Sequence, residues 1–478
     1  KKLFPNGQSF ATPADQEKLI KTWCTERAKM DADMLPLEFR WYTAKYVSAV
    51  RSIFPKGDCS MSLREEDPRD VLILEEPEHL CWYHHGQRWP ELFEHVIGIV
   101  HTNYQDYLVT HKGAEGWDKT IELVPAEIKE ASVFAATTVV CSAYCDVNIK
   151  LSDTIMPLPN EVTCNVHGVR DEFLQVGDGM KGAWESEERP KAYYLGKALY
   201  EKGWEELLDL LKEVGSELEG VVIDGYGSGP DYENIIARSA ALDDRSGKIT
   251  MHPGLDHANE VIHQYGVLVN PSTSDVLCTV TVEALAMGKR CVLAKHPSNR
   301  FFENRFPNRC HFFKVGDGKG FAQAVRDAIA AGPPTTLPEE QRFDLTWEAG
   351  TERLFESAEV RVLSGPYQRP SEAASSRLAY QLHYDMMRDR SVLADLIKEA
   401  TIGEQTPWDE YFEMWRRNNL AALRKRAKEV KKAANPKHLQ EHEIYLRERL
   451  EELTMKLKTA SSSSTEKKES QAEEKVSS

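Results

Sequence analysis

The sequence predicts an α/β protein: two Rossmann-like parallel-sheet domains facing a cleft, followed by a helical C-terminal extension. Three observations predict it. Short apolar runs with strand character alternate with helical intervals along most of the chain. The alternation breaks at a polar stretch, 177–190, and then resumes. Past Arg369 the strand signals stop. Strands alternating with helices are how a parallel sheet gains cover on both faces. One large α/β domain with extensions would show the same alternation.

In the first half the strand candidates are Val71–Leu74, Val96–Val100, Val139–Cys141 and Val162–Cys164. In the second half they are Tyr193–Leu195, Val221–Ile223, Ile249–Met251, Val267–Val269 and Cys291–Leu293. The helical intervals include Trp204–Val214, Tyr232–Leu242, Asn259–His263 and Phe321–Ala331. The expected organisation is a first domain over 1–176, a linker over 177–190 and a second domain over 191–369. A helical extension over 370–459 follows, in which Leu446, Leu450, Leu453 and Leu457 mark one helical stripe. The last segment, 460–478, is Ser, Lys and Glu with few apolar residues and is expected to be disordered.

The chain has 478 residues, 41% of them apolar and 28% charged, which suits two or three globular domains. The net charge of −16 argues against generic nucleic-acid binding. Nine cysteines are scattered with no C-x-x-C pair, which reads as reduced thiols in a cytosol-facing protein. No apolar run approaches the ~20 residues a membrane-spanning helix needs. The best, Val133–Cys145, is shorter and holds two threonines and a serine, so membrane association is expected to be peripheral. The chain starts with Lys1-Lys2 and carries no signal-peptide pattern, so its N-terminus is expected to be trimmed.

Ligands of open α/β sheets bind beyond the carboxyl ends of the strands. In the first half three such ends carry histidines: Glu75–Gly86, with His84 and His85; His101-Thr102-Asn103-Tyr104; and Asn165–Val169, with His167. A single histidine is commonly a structural residue, but three at three strand ends suggest a sugar or phosphate site. Neighbours on a strand point to opposite faces, so His84 and His85 make no metal pair. There is no H-E-x-x-H or D-x-D, and no metal is expected. In the second half Gly196 and Lys197 follow a strand, with Lys202 and Gly203 close behind. Glycine permits close backbone approach, and two ammonium groups suit a leaving diphosphate, although solvated lysines give the same pattern. The turn Gly225–Asp231, with Gly227 and Gly229, is glycine-rich but lacks the G-K-[ST] of a phosphate loop.

The most informative stretch is Val267–Lys289, VLVNPSTSDVLCTVTVEALAMGK. An apolar strand meets a polar turn, and a helical segment then ends at Gly288, a C′ position that wants φ > 0. Asp275 and Glu283 stand eight residues apart, roughly 12 Å if the span is helical. That is too far to act on one bond, but it suits the two ends of one extended ligand. Amides around Val276, Leu277, Cys278 and Thr279 lie between them, where a helix N-terminus attracts phosphate. An ordinary strand-turn-helix with acids on its rim gives this pattern too.

This stretch resembles the acid-x7-acid motif of GT-B retaining glycosyltransferases that use nucleotide-sugars. The order of segments is more specific: EEPEHLCWYHHGQRW, IVHTNY, CNVHGV, YLGK with KG, the glycine-rich turn, NPSTSDVLCTVTVEALAMGK, then HPSNRFF. Together they resemble the digalactosyldiacylglycerol synthases, plant and algal galactolipid galactosyltransferases of that class, from about Lys1 to Glu359. The class carries a glycine-rich turn after its first N-terminal strand. None is seen before Val71: either the chain starts just beyond it, with that strand and turn missing and its activity in question, or that part has diverged.

The resemblance implies a reaction: UDP-galactose donates galactose, with retention, to the 6-hydroxyl of monogalactosyldiacylglycerol. It also implies roles. Asp275 would contact the galactose and Glu283 the ribose. Lys197 and Lys202 would neutralise the diphosphate, with Gly196, Gly227, Gly229, Leu277 and Cys278 on the donor side. His101 would sit near sugar hydroxyls, and His84, His85 and His167 would face the cleft as acceptor candidates, with the first domain taking the acceptor and the second the nucleotide-sugar. No cofactor and no protein nucleophile is implied, since the leaving phosphate itself can take the acceptor proton on the same face. A peripheral, cytosol-facing place on the chloroplast outer envelope rests on the resemblance alone. Arg424, Lys425, Arg426 and Lys428 lie in a basic run near Trp415, which suits an anionic membrane surface, although a solvated helix face reads alike. Two other readings stay open: a soluble GT-B enzyme with another acceptor, and a non-catalytic scaffold that keeps the fold.

Overall fold

The computed structural model describes residues 10, 12–26, 29–31, 37–42, 44–47, 52–55, 58–84, 86–104, 126–179, 191–242, 248–358 and 369–388. His85, the basic run with Trp415, the leucine stripe and the segment 460–478 lie outside the described residues.

Helix α1 (Pro13–Glu26) precedes an antiparallel pair, β1 (Ala44–Val47) and β2 (Ser52–Pro55). The first sheet then forms from β3 (Val71–Glu75), β4 (His95–Val100), β5 (Val147–Lys150) and β6 (Glu161–Thr163), paired in that order and all parallel. Between β3 and β4 lie two single-turn helices, α2 (Pro77–Leu80) and α3 (Trp89–Leu92); α4 (Ala126–Tyr144) links β4 to β5. Every residue of β4 is buried, as expected for a central parallel strand.

The sequence reading of Val139–Cys141 as a strand is corrected: these residues are the penultimate turn of α4, and the strand is β5. A short buried apolar run reads alike in a helix and a strand, and length decides between them. Here Ala131, Ala135 and Ala136 carry helix propensity into the β-branched run, giving 19 helical residues. Among the described residues no helix is long and apolar enough to cross a membrane.

After α5 (Asp171–Gly179) the second sheet begins with β7 (Lys191–Leu195), followed by α6 (Trp204–Val214), β8 (Val222–Tyr226), α7 (Tyr232–Ala240) and β9 (Lys248–His252). Next come α8 (Glu260–His263), β10 (Tyr265–Asn270), α9 (Thr279–Ala286), β11 (Arg290–Ala294), α10 (Arg300–Arg305), β12 (Cys310–Phe313) and α11 (Gly318–Ala330). The sheet is parallel and ordered β9-β8-β7-β10-β11-β12, so chain order reverses between β7 and β10. That reversal opens the crevice where doubly wound folds bind ligands. Alternate residues serve opposite faces. Tyr193, Leu268 and Leu293 join one apolar cluster with α9, while Ala192, Val267, Val269 and Val292 join another with α6 and α11. Gly288 stands past the end of α9 at φ 75°, as its C′ role requires.

The domains do not follow the expected boundaries. The limit at 176/177 falls inside α5, whose Phe173 and Leu174 share a cluster with Leu285 of α9 in the second domain. The chain returns after α12 (Glu339–Asp344). Helix α13 (Trp347–Ser357) carries Leu354 against Ile97, Ile99 and Ile149 of the first sheet. Arg369 then clamps Asp146 at 2.6 Å, and α14 (Ala374–Arg388) packs along α4. The residues at 347–358 and 369 therefore belong with the first sheet, as does the described part of the extension.

Candidate active site

The crevice between β7 and β10 receives both predicted donor motifs. Gly196 and Lys197 follow β7, and the turn Pro271–Asp275 follows β10. Several contacts tie the two turns. Lys202 Nζ lies 2.8 Å from Asp275 Oδ1, Ser274 Oγ donates to the Glu201 carbonyl, and Thr273 Oγ1 donates to Glu206 Oε1 at 3.1 Å. Burial is the largest influence on Lys202 and lowers its pKa, but the charge and hydrogen bond of Asp275, with lesser charges from Cys278 and Glu201, together outweigh it and the net direction is up. Lys197 is exposed at the mouth of the crevice, its backbone carbonyl held by Trp204 Nε1 at 2.8 Å.

The glycine-rich turn supports this site from behind. A Cβ on Gly227 would stand 2.3 Å from the Gly196 carbonyl oxygen, and one on Gly229 would stand 2.4 Å from that of Ala198. Ala198 N donates to Ser228 O, and Asp231 N to Ala198 O. The visible work of Gly227 and Gly229 is thus to let one turn seat against the next.

Asp275 lies in the turn and Glu283 in the second helical turn of α9, so the span between the acids is part loop and part helix. Cys278 is the N-cap residue and makes no side-chain cap bond, leaving the first amides of α9 uncovered by their own cap. Its thiol is buried and pushed up to about 12, so it stays a neutral packing group. Leu277 packs at the edge of the cluster beneath α9. Glu283 is largely buried and its Oε2 lies 2.7 Å from His257 Nδ1. His257 was missed in the sequence reading. Its one signal is position, five residues past the end of β9 in the segment HPGLDH.

The first domain meets this crevice through apolar contact. Val276 is buried in one cluster with Val100, Cys141, Ile155, Met156 and Leu158. Val100 ends β4 and His101 follows it, while Asp275 precedes Val276. Two sequence-predicted residues thus flank one shared interdomain cluster. Arg300, in the HPSNRFF segment, pairs with Asp153 across the same boundary.

His101 is half-exposed between two carboxylates, with Nε2 3.4 Å from Glu75 and Nδ1 3.2 Å from Glu76. The Glu75 hydrogen bond, then the Glu76 and Glu75 charges, raise its pKa against the opposing effect of burial. His167 lies after β6 against Trp347, where burial lowers its pKa and the Glu283 charge opposes that. His84 is placed differently from the sequence expectation. It is 1% exposed, stacks on Trp89 at 4.9 Å and holds the Gln87 carbonyl, so it belongs to the aromatic core of the first domain and not to a cleft wall. Among the described residues no group of three or more potential ligands is arranged to hold a metal ion.

Two parallel Rossmann-like sheets, with acids, lysines and a helix N-terminus at the switch crevice, define a GT-B glycosyltransferase arrangement. A family model for glycosyl transferases group 1 matches residues 189–331, which cover that crevice. The chain is 40% identical over 367 residues to digalactosyldiacylglycerol synthase 2, chloroplastic, of Arabidopsis thaliana, covering 76% of this chain and 72% of that one. It is also 40% identical over 361 residues to digalactosyldiacylglycerol synthase 1, chloroplastic, of Lotus japonicus, there spanning 43% of the relative's length. Among solved structures TarM is similar over 60% of this chain and 54% of its own, at 12% identity and a TM-score of 0.39. The chain belongs to the digalactosyldiacylglycerol synthase family.

Proposed function

We propose that this protein transfers galactose from UDP-galactose to monogalactosyldiacylglycerol with retention, giving digalactosyldiacylglycerol. The observation that carries the reading is the buried cluster shared by Val276 and Val100, the chain neighbours of Asp275 and His101, beside the crevice that holds Lys202 and Glu283. Family membership supports the choice of substrates.

In this reading Glu283 accepts the ribose hydroxyls, and Asp275 accepts hydroxyls of the galactose. Lys202, Lys197 and the amides at the start of α9 take the diphosphate. The galactose C1–O bond to the diphosphate breaks, and the bond from C1 to the acceptor oxygen forms on the same face. The hydroxyl proton passes to the departing phosphate oxygen. Negative charge gathers on the diphosphate as the bond breaks, so preorganised cations and amides are the main catalytic contribution of the protein. Lys202 is held by Asp275 before the donor arrives, so an incoming diphosphate exchanges one anion for another beside the same ammonium group.

The acceptor is a membrane lipid, and we assign docking to the basic run at Arg424, Lys425, Arg426 and Lys428 with Trp415. A cytosol-facing position on the chloroplast outer envelope is part of the same proposal; the relatives are named chloroplastic. The test is labelled UDP-galactose with vesicles of monogalactosyldiacylglycerol, with Asp275→Asn and Glu283→Gln in parallel. Labelled digalactolipid that Asp275→Asn fails to make, and that Glu283→Gln makes only at raised UDP-galactose, is the expected result. UDP binding without lipid product in the wild type would overturn the assignment. Vesicle flotation of a variant neutralised at the four basic positions tests docking: binding equal to wild type removes it.

A further inference from the structure

Lys289 is fully buried in the turn between α9 and β11, and the donor chemistry does not use it. Among the described residues no acid pairs with it. Its Nζ donates to the Ile262 carbonyl at 2.5 Å and lies 4.7 Å from the centre of the Tyr193 ring. A buried lysine without an acid partner is costly, because its charge is stripped of water. A methionine would fill much the same space without that cost. What the lysine supplies is a bond to one carbonyl, and that carbonyl belongs to the segment that carries His257.

The segment, 256–263, is tied together internally. Asp256 accepts from the Ala258 amide on its side chain at 3.0 Å, and from the Asn259 amide on its carbonyl at 2.9 Å. Asn259 caps α8 by accepting from the Val261 amide. The His263 ring hydrogen-bonds back to the Ala258 backbone. Two contacts pin this unit to the chain that runs from α9 into β11. His257 Nδ1 meets Glu283 Oε2 at 2.7 Å, and Lys289 Nζ meets the Ile262 carbonyl. The second anchor is itself fixed. The Lys289 amide donates to the Ala284 carbonyl at 3.1 Å, and a Cβ on Gly288 would stand 2.5 Å from the Thr335 carbonyl oxygen.

We infer that Lys289 is a positioning residue for the donor site: by holding the Ile262 carbonyl it sets the 256–263 segment, and through His257 it fixes the Glu283 carboxylate for the nucleoside. The inference rests on the proposed role of Glu283 at the ribose. A side chain holds a ligand in one geometry only when its own partners are locked. His257 alone ties the segment to Glu283 at the site, and Lys289 supplies the buried hold behind it. Burial lowers the Lys289 pKa to about 7, so the charge on this anchor changes near neutral pH. The ammonium form makes the stronger bond to the carbonyl. The titratable groups facing it are Tyr193 from β7, Cys291 from β11 and His263 from α8. Burial raises the tyrosine and the thiol well above their ordinary values, while burial and then the Lys289 charge lower His263. Above about pH 7, Lys289 is therefore the one of these four that sheds its proton.

The test uses the full chain with Lys289→Met, and beside it Lys289→Gln, which keeps a donor without the charge. Lys289→Met is expected to bind UDP about 3-fold more weakly by calorimetry, with the KM for UDP-galactose raised alike and kcat little changed. Lys289→Gln should recover part of the loss, and it carries the same comparisons if the Met variant fails to fold. In a His257→Ala background Lys289→Met should add nothing, because both changes act through one imidazole. The gap in UDP affinity between wild type and Lys289→Met should shrink as pH rises from about 7 to 9. Amides of 256–263 should exchange with deuterium faster in Lys289→Met even though its denaturant midpoint rises, since the variant drops the cost of a buried charge. A merely structural lysine would not move stability and UDP binding in opposite directions. UDP affinity and amide exchange equal to wild type, or losses that add to those of His257→Ala, would overturn the inference. If wild type binds no UDP, the donor reading fails, and exchange decides the anchor: faster exchange confined to 256–263 in Lys289→Met supports it, and unchanged exchange overturns it.

Discussion

The two strand-end edges that meet at the interdomain contact differ in how their charges are matched. On the second domain each acid has its own cationic or imidazole partner: Asp275 is held by Lys202, and Glu283 by His257. On the first, Glu75, Glu76 and Glu78 lie about His101, and Glu76 also faces His79 at 3.8 Å. In the proposed reading the second-domain edge takes a diphosphate that displaces a carboxylate, while the first-domain edge carries an excess of acids. The two edges thus differ in their ratio of acids to cations.

The largest test of that contrast is Lys202→Ala. Removing a cation aimed at the departing diphosphate should cost on the order of 100- to 1000-fold in kcat. The acceptor KM should stay near the wild-type value, since Lys202 belongs to the other edge. Steady-state kinetics with both substrates varied would check this. A variant that keeps kcat and raises the acceptor KM would break the division between the edges.

The contrast extends to stability, where the two domains bury titratable groups of opposite type, Glu78 and Lys289. Glu78 in the first is raised by burial to about 8, and Lys289 in the second is lowered by burial to about 7. Lys289 donates to the Ile262 carbonyl at 2.5 Å and sits over the Tyr193 ring. The signs are opposite. As pH rises from the ordinary glutamate range toward about 8, the unfolded chain loses the Glu78 proton while the folded one keeps it, and stability falls. From about 7 to the ordinary lysine range, the unfolded chain keeps the Lys289 proton while the folded one has shed it, and stability rises. Each window is worth on the order of a few kcal/mol. Denaturant melts across pH should show Glu78→Gln gaining on wild type between about pH 4 and 8. The advantage of Lys289→Met should shrink between about pH 7 and 10. Parallel slopes for both variants would refute the account.

The second domain was the more legible in sequence because its signals are local. The apolar cores of its strands, the Trp204–Val214 amphipathic helix and the glycine after α9 each announce themselves within a few residues. The first domain was harder. Val139–Cys141 had no local feature to separate a helix from a strand, and the cover supplied by α13 and α14 comes from more than 200 residues away. The site divides in the same way. Spacing brings Asp275, Glu283, Lys197 and Lys202 forward as candidates, whereas the His257–Glu283 pairing joins elements 26 residues apart and leaves no spacing signature. Glu76 was hidden among more conspicuous histidines, and His84, one of those histidines, proved to be a core residue.

The smallest expected effect falls on the nucleoside end. Glu283→Gln should raise the KM for UDP-galactose by about 10-fold with kcat little changed, because a charged hydrogen bond to the ribose is lost in ground and transition states alike. His257 does not reach the donor in this reading. It fixes the Glu283 carboxylate through one bond, so His257→Ala should weaken UDP binding by only about 3-fold, read by calorimetry. The direction of that small change is informative. Weaker binding means the imidazole preorganises the acid for the ribose. Tighter binding means it occupies the place of the ribose and must be displaced, as the diphosphate displaces Asp275 from Lys202. The second domain would then meet its donor by exchange at both ends, and the contrast with the first edge would widen.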